Sequence, residues 1–195
     1  MSYAKERFDK LISLINREGK DKLLEYLNEN GYFTAPCSSQ YHGSREGGLL
    51  EHSVNVADLM LDISDTLNCF AEEITESIIL VGLFHDLGKS GYFNKANYVP
   101  NILKNGKQSD AKPYEVNKEL LGIPHEVSSI HILSKFIQLT EEEAFSILYH
   151  NGLYTGIGRE LKGNERPLQM ILHFADMWAS RVDEVETIEV KNTLF

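Results

Sequence analysis

Apolar positions recur at a helical spacing along nearly the whole chain. Phe8, Leu11, Ile12 and Ile15 form one stripe. Leu23, Leu24 and Leu27 form a second, stopped by Asn30-Gly31, so two helices are predicted within residues 1–31. Residues 32–48 carry Pro36, Ser38, Ser39, Gly43, Gly47 and Gly48 and read as a loop. Leu49 to about Leu67 is amphipathic. Glu72 to about Asp86 contains the unbroken block Ile78-Ile79-Leu80-Val81-Gly82-Leu83-Phe84, the mark of a buried helix, with Gly88 and Gly91 ending it. Helical spacing returns over Glu126–Ile137. Thr140-Glu141-Glu142-Glu143 predicts a capping box that opens a helix running to His150 and stopping at Asn151-Gly152. A last helix starts near Pro167 and carries Leu168, Ile171, Leu172, Ala175 and Trp178.

Residues 90–123 break this rhythm. They hold no sustained period and are too long for an ordinary connection, so they read as an insertion or lid, with room for a short hairpin near Lys112–Asn117. No repeat or domain-scale linker divides the chain. The expectation is an all-α bundle of about seven helices forming one domain over residues 1–195, with its core in 45–180.

The bulk properties set the surroundings. The 195 residues are 42% hydrophobic and 25% charged, ordinary for a globular protein. Cys37 and Cys69 match no zinc or redox spacing and read as free thiols of a reducing cytoplasm. The N-terminus has no apolar segment of signal-peptide type, and no apolar run reaches membrane-spanning length, so a cytoplasmic protein without a membrane partner is expected. The net charge of −10 argues against a coat for nucleic acid or anionic membrane. Charge is uneven, however. Leu87 to Lys118 carries Lys89, Lys95, Lys104, Lys107, Lys112 and Lys118 against Asp110 and Glu115, a local +4 on a remainder of −14. Such an island attracts phosphate or is a solvated loop; charge alone does not choose.

The candidate chemistry lies at His85-Asp86. Neighbours on a helix point about 100° apart, so two of them share one ion only near a helix end, which Gly88 supplies. One imidazole nitrogen with one carboxylate oxygen suits Mn²⁺, Fe²⁺, Co²⁺, Ni²⁺ or Zn²⁺ better than Ca²⁺. Alone, the dipeptide is weak evidence. Its company strengthens it: Gly47-Gly48-Leu49-Leu50-Glu51-His52 places a histidine in the first turn of a helix, and Ala175-Asp176 lies in the last helix.

This order resembles the HD superfamily of metal-dependent phosphohydrolases, whose pattern is H…HD…D on a helical fold, over roughly residues 45–180. The resemblance implies His52, His85, Asp86 and Asp176 as metal ligands. Two-metal members, including the HD-GYP cyclic-dinucleotide phosphodiesterases, carry H…HD…H…H…D. His125 and His150 fill the two middle places, and Asp86 would then bridge two ions. A helix-end histidine is equally well explained as a cap. The segment Tyr41–His52 is also similar to the HD domain of bacterial 3′–5′ exoribonucleases. Phe33-Thr34-Ala35-Pro36, with the lysine-rich stretch, is similar to small stand-alone HD proteins of phages and their hosts. No GYP triplet occurs, which removes support for a cyclic dinucleotide, and no separate nucleic-acid module precedes the HD segment.

The resemblance implies one or two divalent ions, with Mg²⁺ also admissible, set against a phosphate ester and activating a water for attack. Asp86 would orient that water. Lys89, Arg45 and Lys95 are candidates for phosphate oxygens, Lys89 with a role in the chemical step; their bland alternatives are a helix-end cation and solvated side chains. His131, about 120° around the helix from His125, is not expected to share its ion. His42 and His173 read as satisfied histidines, His173 with a chance of supporting Asp176. A nucleotide is the expected substrate. The alternatives are a single-stranded nucleic-acid end stacked on Tyr92, Phe93, Tyr98 or Tyr114, and a module that binds metal or nucleotide without turnover.

Overall fold

The computed structural model describes residues 2–68 and 74–185; Cys69 and the expected helix start at Glu72 lie outside them. Among the described residues are seven α-helices: α1 Tyr3–Ser13, α2 Lys20–Glu29, α3 Gly48–Leu67, α4 Thr75–Phe84, α5 His125–Leu133, α6 Glu141–Leu148 and α7 Pro167–Trp178. The chain is an all-α bundle with an irregular insertion, as its periodicity indicated. No helix among the described residues is long and apolar enough to cross a membrane.

Helix α4 is the centre of the bundle. Ile78 through Phe84 are all buried, because α3, α1, α6 and α7 pack around it. Ile79, Leu80, Val81, Leu83 and Phe84 are each 0% exposed. Each such side chain contributes about 1.5–3 kcal/mol relative to an exposed one. Phe8 of α1 and Tyr32 pack on Phe84, and Phe33 packs on both of them, with ring centroids 5.2–6.3 Å apart. The buried Tyr32 hydroxyl donates to the Leu83 carbonyl at 2.6 Å, tying the loop after α2 to the end of α4.

At the other end of α4, Glu76 and Ser77 meet Arg17 from the α1–α2 connection. Arg17 reaches the Glu143 carboxylate of α6 at 2.6 Å, and the Ser77 hydroxyl donates to the same carboxylate at 2.6 Å. Burial alone would raise the Glu143 carboxyl, but these bonds and the Thr140 backbone hold it below its ordinary range. The predicted capping box is present: Thr140 Oγ1 accepts from Glu143 N–H, and Glu143 accepts from Thr140 N–H.

Helix ends differ from the periodic reading by a few residues. The fifth helix stops at Leu133 rather than Ile137, in turns that carry Ile137 back into the core. The insertion departs more. Gly91–Tyr92 (β1) pairs with Lys95–Ala96 (β2), and Tyr98–Pro100 (β3) pairs antiparallel with Tyr114–Val116 (β4). The hairpin expected within 112–117 is therefore one strand, whose partner residues lie fourteen to eighteen positions earlier; pairing of that separation leaves no local turn signal. Tyr114 N–H donates to Ser39 O at 3.1 Å and fastens this sheet to the 32–48 loop.

Candidate metal centre

His85 caps the C-terminus of α4 and Asp86 follows it. The chain then tightens into a 3₁₀ turn, Leu87–Ser90. Gly88 makes this possible: a Cβ there would lie 2.4 Å from the His125 carbonyl oxygen. Its absence lets the N-terminus of α5 approach, and Gly88 N–H donates to Ser129 Oγ at 2.8 Å. His125, the first residue of α5, is thereby brought over Asp86.

The two Asp86 oxygens face different partners. Oδ2 lies 3.6 Å from His52 Nε2, 3.5 Å from His85 Nε2 and 2.6 Å from Lys89 Nζ. Oδ1 lies 3.1 Å from His125 Nε2 and 3.5 Å from His150 Nε2. Asp176 of α7 places Oδ1 at 3.1 Å from His52 Nε2. His52, His85, Asp86 and His150 are essentially inaccessible, whereas His125, Asp176 and Lys89 keep 28%, 16% and 16% of their side chains exposed and form an open rim.

The imidazoles are oriented by their other nitrogen. His85 Nδ1–H donates to Gly82 O at 2.9 Å and His150 Nδ1–H to Ile147 O at 2.8 Å, which leaves each Nε2 with a lone pair facing the site. His52 Nδ1–H donates to the Glu184 carboxylate at 3.1 Å, and Asn55 holds that carboxylate at 2.9 Å. A carboxylate behind a histidine is the usual support for a metal ligand. His173 Nδ1–H donates to the His150 carbonyl at 2.7 Å, so it steadies His150 rather than Asp176.

Burial opposes the charge on Asp86, but Lys89 and the surrounding imidazoles of His85, His125 and His150 hold its carboxyl well below the usual range. Burial likewise opposes His52⁺, but the Cys37 sulfur, Asp176 and Glu184 raise it well above an ordinary imidazole. Asp86 and Asp176 thus act on Lys89 while Glu184 backs His52, a setting that accepts further positive charge.

The residues fit a metal ion on a direct observation. His52 Nε2, His85 Nε2 and Asp86 Oδ1 are buried without a hydrogen bond, at a cost of about 1–3 kcal/mol each unless something else satisfies them. Among the described residues, three groups bring ligand atoms within 4.8 Å of one another: His52, His85 and Asp176; His85, Asp86 and His150; and Cys37, His42 and His52. These groups can coordinate one or two divalent ions. The His150 end differs in that Asn151 Nδ2 donates to His150 Nε2 at 2.9 Å and to Glu126 Oε1 at 2.8 Å. An ion on His150 takes over the lone pair that Asn151 now occupies.

Two expected residues stand apart. Arg45, half exposed, forms an ion pair with Glu51, and Lys95 lies 3.6 Å from Glu119. Lys95 nevertheless shares a cavity with Lys89. His131 is exposed and lies against Phe93, away from His125. Sequence reading did not single out Glu184, Glu126, Asn151 or Cys37. Glu184 is 132 positions from His52 and has no spacing signal, while Asn151 and Glu126 adjoin the two middle histidines and were open to notice.

The sequence model of the HD domain family matches residues 49–179. No curated protein and no solved structure matches the chain. With that match spanning most of the chain over a buried histidine–aspartate centre, the chain belongs to the HD domain family and is a metal-dependent hydrolase.

Proposed function

We propose that this hydrolase acts on a small phosphate ester, a nucleotide, with His52, His85, Asp86 and Asp176 holding one ion and Asp86, His125 and His150 a second. Bound there, divalent ions supply charge neutralisation at the phosphoryl oxygens and a water acidic enough to attack at neutral pH. Asp86 is placed between the two groups and aligns the nucleophile. Lys89 contributes its ammonium to phosphoryl oxygens on the same side, and Lys95, across the same cavity, adds a weaker contact. In this reading residues 1–195 are one HD domain, with 90–123 as an insertion that walls the pocket.

The observation that carries the substrate class is a cavity of about 560 Å³ lined by Lys89, Lys95, Tyr92, Tyr98 and Tyr114. Its size lies in the range of small-molecule sites, about 300–1,000 Å³. Lys89 joins it to the metal centre, since its Nζ is 2.6 Å from Asp86 Oδ2. A phosphate held at Lys89 leaves the rest of a nucleotide among the tyrosines, whose rings suit a base. Burial raises the Tyr98 hydroxyl, which keeps it a neutral donor at physiological pH.

The test is a screen of the purified chain with Mn²⁺, Co²⁺, Ni²⁺, Zn²⁺ and Mg²⁺ against mononucleotides, simple phosphodiesters and short oligonucleotides. Turnover of mononucleotides is expected. Preference for oligomers, with affinity falling steeply as salt rises, would replace the nucleotide by a single-stranded nucleic-acid end. Affinity without turnover under every ion would leave a binding module.

A further inference from the structure

Cys37 and His42 of the third ligand group are not needed for either ion proposed above, and Cys37 is the one sulfur among the candidate ligands. We propose that Cys37, His42 and His52 form a second, overlapping thiolate-containing site for a zinc-like cation, and that filling it withdraws His52 from the hydrolytic centre and inhibits the enzyme. The inhibition rests on the hydrolase reading of His52; the binding does not.

The geometry is close to that of a bound ion. Cys37 Sγ lies 3.4 Å from His42 Nε2, and the three ligand atoms lie within 4.8 Å of one another. Tetrahedral zinc with bonds of about 2.1 Å to nitrogen and 2.3 Å to sulfur places its ligand atoms about 3.4–3.8 Å apart. The first distance already meets this, and those to His52, at most 4.8 Å, need to close by no more than about 1.4 Å.

The loop holding two of these ligands is built to keep them together. Cys37 N–H donates to Gly43 O at 2.9 Å, closing the segment on itself. Inside it Ser38 Oγ donates to His42 O at 2.9 Å and accepts from Tyr41 N–H at 2.8 Å. Gly43 sits at φ +57°, and a Cβ there would fall 2.8 Å from Cys37 Cβ. The bare glycine leaves room for Cys37 to lie that close, beside His42.

The third ligand points the same way. His52 is 0% exposed, its Nδ1 is committed to Glu184, and its Nε2 has no hydrogen bond. One lone pair serves one ion at a time, so an ion on Cys37 and His42 competes with the His52–His85–Asp176 group for it. The two groups differ in softness: thiolate with two imidazoles selects zinc, whereas imidazole with carboxylate also accepts manganese. His42, Arg45, Ser180, Arg181 and Glu184 line a cavity of about 930 Å³, which gives an ion a way in and a water for the fourth position.

The decisive experiment titrates the metal-free chain with Co²⁺ and follows the near-ultraviolet thiolate-to-cobalt charge-transfer band. The band is expected in the wild type and in Cys69→Ser, lost in Cys37→Ser, weakened in His42→Ala and retained in His85→Ala. Cobalt bound without the band, or a band that survives Cys37→Ser, overturns the thiolate site and leaves the hydrolytic groups standing. No cobalt bound at all overturns both readings. If Cys37→Ser fails to fold, the wild-type and Cys69→Ser spectra decide alone. For inhibition, each chain is normalised to its own manganese-supported rate. The zinc concentration that halves it should rise about tenfold or more in Cys37→Ser, since even indirect partners of a metal ligand alter affinity that much. Equal zinc sensitivity would remove the competition for His52.

Discussion

Helix α4 and the insertion at 91–123 adjoin the same centre but are held by different forces. From Ile78 to Phe84 every residue of α4 is buried, and the end of that helix delivers His85 and Asp86. In the insertion only Gly91, Tyr92 and Ser109 are buried. Its two small sheets rest on backbone bonds such as Asn101 N–H to Pro113 O and Asn117 N–H to Asn97 O, both 2.9 Å. The floor of the site is therefore set by apolar burial, which is cooperative and rigid. The wall is set by hydrogen bonds open to water, each with a net worth of about 0.5–1.5 kcal/mol. Chemistry needs fixed ligand geometry and sits on the floor. Substrate entry tolerates adjustment and uses the wall.

The largest effect should come from the floor. Asp86→Ala should lower turnover about a thousandfold, or roughly 4 kcal/mol, and lose metal on dialysis while the helical circular dichroism persists. Full metal retention would show that Asp86 only fills the core. Next is the support of α4. Glu143→Ala leaves Arg17 without its carboxylate and should cost about 3 kcal/mol, a fall in Tm of roughly 6–12 °C by calorimetry. The Glu143 carboxyl is held below its unfolded value, near 4.5. Its stabilisation is thus complete above that pH and is lost as pH falls through the lower folded value. A wild-type Tm that declines below pH 4.5 more steeply than that of Glu143→Gln is the expected signature.

Hydrogen exchange measures the contrast itself. Amides of β3 and β4 should exchange about a hundredfold faster than those in the middle of α4, because the sheet opens without opening the core. Equal protection would mean that the insertion belongs to the same cooperative unit. Smaller still, Tyr98→Ala should raise KM for a nucleotide several-fold with kcat little changed, the mark of lost binding rather than lost chemistry. The triple reversal Lys95→Glu, Lys104→Glu and Lys107→Glu should lower kcat/KM by less than about tenfold at 0.15 M salt, where exposed charges are screened beyond about 8 Å. No change at all would leave these lysines as solvated side chains and take the charge out of the wall.

The sequence by itself determined the helical parts of this protein. The apolar block 78–84, the Thr140–Glu143 capping box and the proline opening α7 are contacts or preferences within one or two turns, so spacing reveals them. The order of His52, His85-Asp86, His125, His150 and Asp176 was legible for the same reason: each sits at a helix end or face that the period marks. Tertiary structure alone decided the rest. β3 finds β4 across fourteen to eighteen positions, Glu184 reaches His52 across 132, and Cys37, which matches no metal spacing in the chain, comes within 3.4 Å of His42 through a loop closed by Gly43. It also decided that the two oxygens of Asp86 divide between two sets of histidines. Such contacts join segments whose local conformations are compatible with many partners, and only packing the whole core against α4 selects one.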